Sequence, residues 1–398
     1  MTSVTESSTA PGESERVSWH RWLGVGAVAV GTFAMVTSEQ LPVGLLTSVG
    51  ADLHVSEGTA GLMVTAPGLV ASATAPVLPV AIGRLDRRLV LLGLIVLMVA
   101  ANVLSATAPS FAVLLGSRVL IGIAIGGFWA LAAGIAVRMV PDRYVPQATA
   151  IAFGGATAAN VLGVPAGTLI GELTDWRVAF GLLGGLGLLV VAALLLLLPP
   201  LPAGTPVHLR TLAAQFRNPV VRTGVLMTFL LVSGHFAAFT FISPILQDHA
   251  GIDKAMIGPA LLAFGIAGIV GNFVTGTATG RNIHATLVTI SVTLATVLIL
   301  VALLGATPIT AIALLIAWGL AFGGIPVGVQ TWILRAAPDS TEAATALNTA
   351  TFNLAIASGA LFGGLLTDSI ALTAVLWFGA ALSALASVAV WLTPAGDR

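Results

Sequence analysis

Arg138-Met139-Val140-Pro141-Asp142 and Arg335-Ala336-Ala337-Pro338-Asp339 share one pattern and stand 197 positions apart. The same interval carries Gly83-Arg84 onto Gly280-Arg281, and Gly122, Gly126 and Gly127 onto Gly319, Gly323 and Gly324. Landmarks recurring in three places at one interval mark a duplicated half. Each half is long, apolar and nearly free of charge. Two like halves can rock against each other about a shared central site, which is the physical design of a transporter.

Composition names the solvent. Of 398 residues, 57% are hydrophobic and 8% charged. A water-facing globular domain carries roughly 25% charged residues. A chain this poor in charge fits a lipid bilayer. The formal net charge is zero, and no basic patch interleaved with aromatics supports nucleic-acid binding. With no cysteine, disulfides and thiolate metal sites are excluded. The six histidines lack metal-binding spacing, so no metal is expected. A phosphate-binding Gly-Lys loop is also missing, and Lys254 is the only lysine, which argues against ATP coupling. No constellation of catalytic residues is present, so the chain reads as a non-enzyme without a cofactor. The energy source would be a proton gradient.

A hydrocarbon core of about 30 Å needs about 20 apolar residues per helix. Twelve stretches meet that length: 22–47, 59–82, 89–107, 110–137, 145–170, 178–198, 221–246, 256–279, 285–304, 309–334, 343–366 and 370–393. Only helices or closed barrels satisfy the backbone in lipid, and these runs lack strand alternation. With the N-terminus inside, the inner loops and helix ends receive Arg16, Arg21, Arg84, Arg87, Arg88, Arg138, Arg143, Arg210, Arg217, Arg222, Arg281, Arg335 and Arg398. The outer side receives Arg177 and Lys254. An error of one span would scramble that separation, so twelve spans and cytoplasmic termini are expected. The resulting divisions are a disordered tail (1–18), a six-helix bundle (19–198), a cytoplasmic linker (199–220), a second bundle (221–393) and a short tail (394–398). Trp19 and Trp22 around Arg21 read as an interfacial anchor.

Two charges fall inside spans, Glu39 in the first and Arg118 in the fourth. Charge at that depth costs several kcal/mol and finds a cavity or a partner. Both residues belong to the outer half, and the expectation is that they meet across a central cavity. A carboxyl in a low-dielectric site holds its proton more tightly, and a neighbouring guanidinium loosens it. Movement of such a pair would couple proton uptake to transport. The alternative is a structural ion pair locking spans 1 and 4. His235 is the one histidine deep in a span, and it serves equally as proton or solute contact or as a packing residue. Phe239 beside it offers a stacking surface. Thr32 and Met35 on span 1, with Trp129, Asn160, Trp318, Gln330, Trp332 and Asn348, complete the candidate solute contacts. Aromatic planes with a few polar groups suit a flat, hydroxylated or nitrogen-rich solute.

Span 5 carries Gly163-Val164-Pro165-Ala166-Gly167, where proline removes a backbone hydrogen bond and glycines admit close packing. This segment resembles the helix-5 antiporter motif of the major facilitator superfamily, in its drug:proton antiporter branch. Arg118-x-x-x-Gly122 is similar to the helix-4 motif of that family, whose arginine is implicated in proton transfer. Gly83-Arg84-Leu85-Asp86-Arg87-Arg88 resembles its loop 2–3 gating motif in a shortened form. Gly83 stands where the family places an aspartate, so the usual interdomain latch is not implied, while the basic cluster remains. Glu39-x-Leu41-Pro42-Val43, Gly126-Gly127-Phe128-Trp129-Ala130 and Thr331-Trp332-Ile333 extend the likeness to the purine ribonucleoside efflux family and its sugar-efflux neighbours. The resemblance implies an all-α fold of two pseudo-symmetric six-helix bundles, with helices 1, 4, 7 and 10 around a central cavity. It also implies a monomer in the bacterial inner membrane, exporting a small solute against protons by alternating access. Purine ribonucleosides lead as solute; sugars, amphipathic drugs or passive facilitation are the alternatives.

Overall fold

A computed structural model describes residues 19–83, 85–141, 144–201 and 214–393. The tails, most of the linker, and Arg16, Arg84, Arg143, Arg210 and Arg398 lie outside the described residues. Among the described residues, twelve helices are long and apolar enough to cross a membrane. In the first half these are α1 (Trp19–Asp52), α2 (Leu62–Ala81), α3 (Arg87–Ala106), α4 (Phe111–Met139), α5 and α6 (Trp176–Leu197). α5 is built from Val145–Ala158, a π turn at Ala159–Gly163, and Val164–Leu173. The second half has α7 (Pro219–Phe239), α8 (Lys254–Arg281), α9 (Ile283–Leu304), α10 (Pro308–Ala336), α11 (Thr341–Ser369) and α12 (Ala374–Trp391). With a hydrophobic solvent outside, each helix satisfies its own backbone, and large apolar side chains such as Leu196 and Phe273 face outward. Trp19 and Trp391 are exposed at the face that carries both chain ends, as interfacial anchors should be.

Sequence breakers explain the irregular places. Pro165 has no N–H to close an ordinary turn, and the backbone ahead of it widens into the π turn. The seventh span was expected to run unbroken to residue 246. It stops at Phe239 instead and resumes as a short turn at Ile242–Pro244 and a π turn at Ile245–His249. Pro244, which cannot donate to the residue four before it, accounts for the break.

The duplication read from sequence recurs in the packing. Adding 197 to the bounds of α4 gives the bounds of α10. A Cβ on Gly122 would strike the carbonyl of Pro67 on α2, and one on Gly126 the carbonyl of Ala71. In the second half, Gly319 abuts the Phe264 carbonyl on α8 and Gly323 that of Gly268, the same residues 197 positions on. Absent side chains let these helix pairs touch backbone to backbone.

The halves meet on one side. Asp368 at the end of α11 accepts hydrogen bonds from Gly58 N (3.0 Å) and Ser56 Oγ (2.7 Å), just ahead of α2. Gln247 Nε2 donates to Thr47 Oγ1 (3.4 Å). Deeper in, α2 touches α11 where Gly68 meets Ala357, and α5 touches α8 where Asn160 meets Gly265. All of these contacts lie between mid-depth and the face opposite the chain ends. Among the described residues, hydrogen bonds of the loop after α2 go to α3, to the end of α6 and to Leu201 at the start of the linker. The seam is thus shut at the face opposite the termini.

Candidate functional site

Helix α1 positions most of the site, and α5 holds α1. The four glycines Gly155, Gly163, Gly167 and Gly171 face Ala29, Thr37, Leu41 and Leu45, so each partner number differs by 126. These are parallel helices locked in one register along their i, i+4 ridges. A Cβ on Gly167 would lie 2.6 Å from Leu41 Cδ1, and one on Gly171 2.5 Å from Leu45 Cδ2. Gly163 and Gly167 therefore seat α1 within the first bundle, while the Pro165 carbonyl faces the second half, 3.0 Å from where a Cβ on Gly258 of α8 would sit.

Arg118 is fully buried. Its Nη1 donates to the Ser38 carbonyl (3.0 Å), Nη2 to Ser105 Oγ (2.6 Å) and Nε to Ser117 Oγ (3.4 Å). The guanidinium carbon sits 4.8 Å from the centre of the Phe180 ring. Ser38 and Asn102 exchange hydrogen bonds beside it. One charge thus joins α1, α3, α4 and α6 through dipoles and a ring face. The expected meeting with Glu39 does not occur: no ion pair joins them, because Arg118 reaches the backbone of Ser38 while the next side chain turns about 100° away.

Glu39 is 7% exposed, and its carboxyl has neither a hydrogen-bond nor an ion-pair partner among the described residues. Thr37 Oγ1 and Gln40 Oε1, on the same turn of α1, are also buried without a partner. Polar groups left unmet in this way are rare in folded proteins. Sequence reading passed over Thr37 and Gln40; the run of four polar residues from Thr37 to Gln40 between apolar stretches was the available signal. Thr32 and Met35 are buried in the first bundle, with Thr32 Oγ1 donating to Val28 O (3.0 Å).

In the second half, His235 is fully buried in a cage of rings. Phe322 stacks on it at 3.6 Å and Phe239 at 4.8 Å, centre to centre. Phe264 lies beyond at 6.2 Å, and Phe236 and Trp318 approach edge-on. Trp318 Nε1 donates to His235 Nδ1 (3.0 Å), and His235 Nε2 has no partner. An indole N–H can only donate, so Nδ1 accepts and the ring proton sits on Nε2. A second ring proton would set two N–H groups face to face. This geometry weighs against His235 as a proton carrier and fits a neutral hydrogen-bonding group.

Gln330 and Asn348 come together in a polar ladder. Thr228 Oγ1 donates to Asn348 Oδ1 (2.8 Å), Asn348 Nδ2 to Gln330 Oε1 (3.3 Å), and Gln330 Nε2 to Thr345 Oγ1 (2.9 Å). Trp332 does not join them. Its Nε1 donates to Val220 O (2.9 Å) and its ring meets His284 edge-on at 4.7 Å, so it anchors the start of α7. Trp129 stacks on Phe153 at 5.5 Å, and Asn160 Nδ2 donates to Ala156 O (3.1 Å) within α5.

The loop after α2 is a structural clamp. Gly83 has φ +44°, a conformation that favours glycine. Asp86 caps α3 through Arg88 N (2.8 Å) and accepts from Leu201 N (3.0 Å). Arg87 Nη1 donates to Leu85 O and Arg88 Nη2 to Leu195 O at the end of α6. Arg84 of the expected gating motif lies outside the described residues.

The chain is 37% identical over 376 residues to the "Transcription regulatory protein OpdE" of Pseudomonas aeruginosa, covering 94% of each. It is 35% identical over 378 residues to the "Purine ribonucleoside efflux pump NepI" of Shigella sonnei, covering 95% of each. Among solved structures, an inward-facing, unoccupied bacterial homolog of the human lysosomal transporter Spinster matches with a TM-score of 0.71 at 15% identity, over 95% of this chain and 100% of that one. The human organic anion transporter MFSD10 matches with a TM-score of 0.69 at 17% identity, over 93% and 99%. The model of the Major Facilitator Superfamily matches residues 28–347. Twelve spans, duplicated packing and these full-length relatives place the chain in the Major Facilitator Superfamily, as a multi-pass membrane transporter.

Proposed function

We propose that this transporter exports a small solute in exchange for protons, with purine ribonucleosides as the solute. The observation that carries the reading is Glu39: an acid inside the bilayer-spanning part of α1 with no partner. An ionised carboxylate there is costly, and loading it with a proton removes the charge. Its exchange between a proton and solute contact would tie the two fluxes together. Arg118 holds the backbone beside Glu39 through Ser38 and serves as a positioning residue. We place both termini in the cytoplasm of a cell with this inner membrane, because the arginines gather on that face. The transporter works as a monomer and without a cofactor. A membrane potential adds about 2.3 kcal/mol per charge per 100 mV to the driving force.

The name of the Shigella sonnei relative supports the solute class. The name of the Pseudomonas aeruginosa relative favours a second reading, in which the same fold serves regulation. One experiment separates them. Inside-out vesicles holding the wild type, under an imposed pH gradient, should accumulate purine ribonucleosides, and Glu39→Gln should abolish the pH-driven part. Accumulation in Glu39→Gln equal to wild type would remove Glu39 as the carrier. Indifference of the wild type to every nucleoside, sugar and drug-like cation tested would leave the regulatory reading.

A further inference from the structure

Between residues 31 and 46 of α1, Phe33 and Gln40 are the two side chains that are not buried. Gly26 and Thr47 are half-buried as well, and all four recur every seven residues. Seven residues make about two helical turns, so the four form one line along α1. Each end of that line has a defined setting, a contact at one and open space at the other. Thr47 accepts the hydrogen bond of Gln247 from the second half, so the line faces the seam. At the other end, a Cβ on Gly26 would meet nothing within 4 Å, so the line looks into open space toward the chain ends. The remaining faces of α1 are taken by α5, by α6 at Gly24 and Gly31, and by the Arg118 network.

Gln40 is the one amide on this line. Its Oε1 is buried without a partner, and the side chain makes no hydrogen bond to any described residue. Two turns below it, Phe33 offers a ring. The amides of the second half, Gln330 and Asn348, are by contrast satisfied by each other and by threonines. A carboxamide presents one donor and one acceptor side by side, which matches the edge of a planar ring bearing an adjacent donor and acceptor. The N6–H and N7 edge of adenine has that pair, whereas a 6-oxopurine presents two acceptors.

We propose that Gln40 is the specificity-determining contact of α1, reading a paired donor and acceptor on a planar, adenine-like solute. This rests on the nucleoside reading of the proposed function. The test uses the full chain in proteoliposomes, with adenosine, 7-deazaadenosine and inosine as probes. Wild type should prefer adenosine to the other two by about tenfold. Gln40→Leu should bring the three rates close to equality by raising KM for adenosine, with kcat held. Gln40→Glu keeps the shape and the acceptor but loses the donor to N7. It should therefore treat adenosine and 7-deazaadenosine alike, which a merely structural role for Gln40 would not produce. Unchanged discrimination in both variants, or wild type that transports nucleosides without discriminating, overturns the role of Gln40 alone. Wild type that transports no nucleoside overturns the nucleoside reading and this inference together.

Discussion

The contact of Asp368 with the start of α2 should set how firmly the seam is shut. Its carboxylate takes Gly58 N at 3.0 Å and Ser56 Oγ at 2.7 Å, from the other half of the chain. Gly58 is needed for the approach, since a Cβ there would run into the Gly364 carbonyl and into Asp368 itself. A hydrogen bond to a charged group contributes about 1.5–3 kcal/mol when shielded and less in water. With the Ser56 bond exposed, Asp368→Ala should cost the closed state about 2 kcal/mol, roughly a 30-fold change in the closed-to-open ratio. The chain has no cysteine, so a single reporter can be placed without background. Ser243 is fully buried and accepts from Gln247 (2.9 Å) where α7 breaks beside α1. In a Ser243→Cys background, Asp368→Ala should speed labelling by an impermeant thiol reagent from the outer side by about 10- to 30-fold. Gly58→Ala should do the same by steric means. Equal labelling rates in all three proteins, with the thiol fully reactive after denaturation, would refute the latch.

Three further outcomes follow from the packing of the first bundle. Gly167→Leu must push α1 from α5, because even a Cβ would crowd Leu41 Cδ1. Overpacking of this kind costs about 1–3 kcal/mol, and a fall in Tm by fluorescence-detected unfolding checks it. Arg118→Lys keeps the charge but cannot reach Ser38, Ser105 and Ser117 together, so a loss of about 2–4 kcal/mol and a lower Tm are expected. Transport lost in Arg118→Met should stay lost in the double variant with Glu39→Gln; restoration would reveal the ion pair that the geometry denies.

Much of the architecture was legible because lipid leaves few choices. Length and apolarity give the spans, and the interval of 197 marks paired glycines on α4 and α10, which pack against backbone groups that are themselves 197 positions apart. Depth was legible too: Glu39 and Arg118 do lie near one level. Direction around the helix was not. One step of the chain turns a side chain by about 100°, and that step separates the Ser38 carbonyl, which Arg118 holds, from the Glu39 carboxyl. Trp318 and Trp332 share a face of α10, yet about 21 Å of helix divides them, so one enters the His235 cage and the other pins α7. Gln40 escaped notice because it ends a polar run, Thr37 to Gln40, whose four side chains point around the whole helix and mark no single face. Its line toward the seam consists of a glycine, a phenylalanine, a glutamine and a threonine, which no periodicity of hydropathy betrays.

The constraints on α1 also decide how a proton could act. Glycines of α5 fix one face of this helix in register, and the Arg118 network fixes another through the Ser38 carbonyl. Sliding or turning α1 within its bundle would break both sets of contacts at once. A change at Glu39 therefore has one inexpensive outlet, the seam, where α1 meets the second half through Gln247 and the half-buried line of Phe33, Gln40 and Thr47. Coupling by this route moves whole bundles against each other and leaves each interior intact. That is the motion two duplicated, separately packed halves permit.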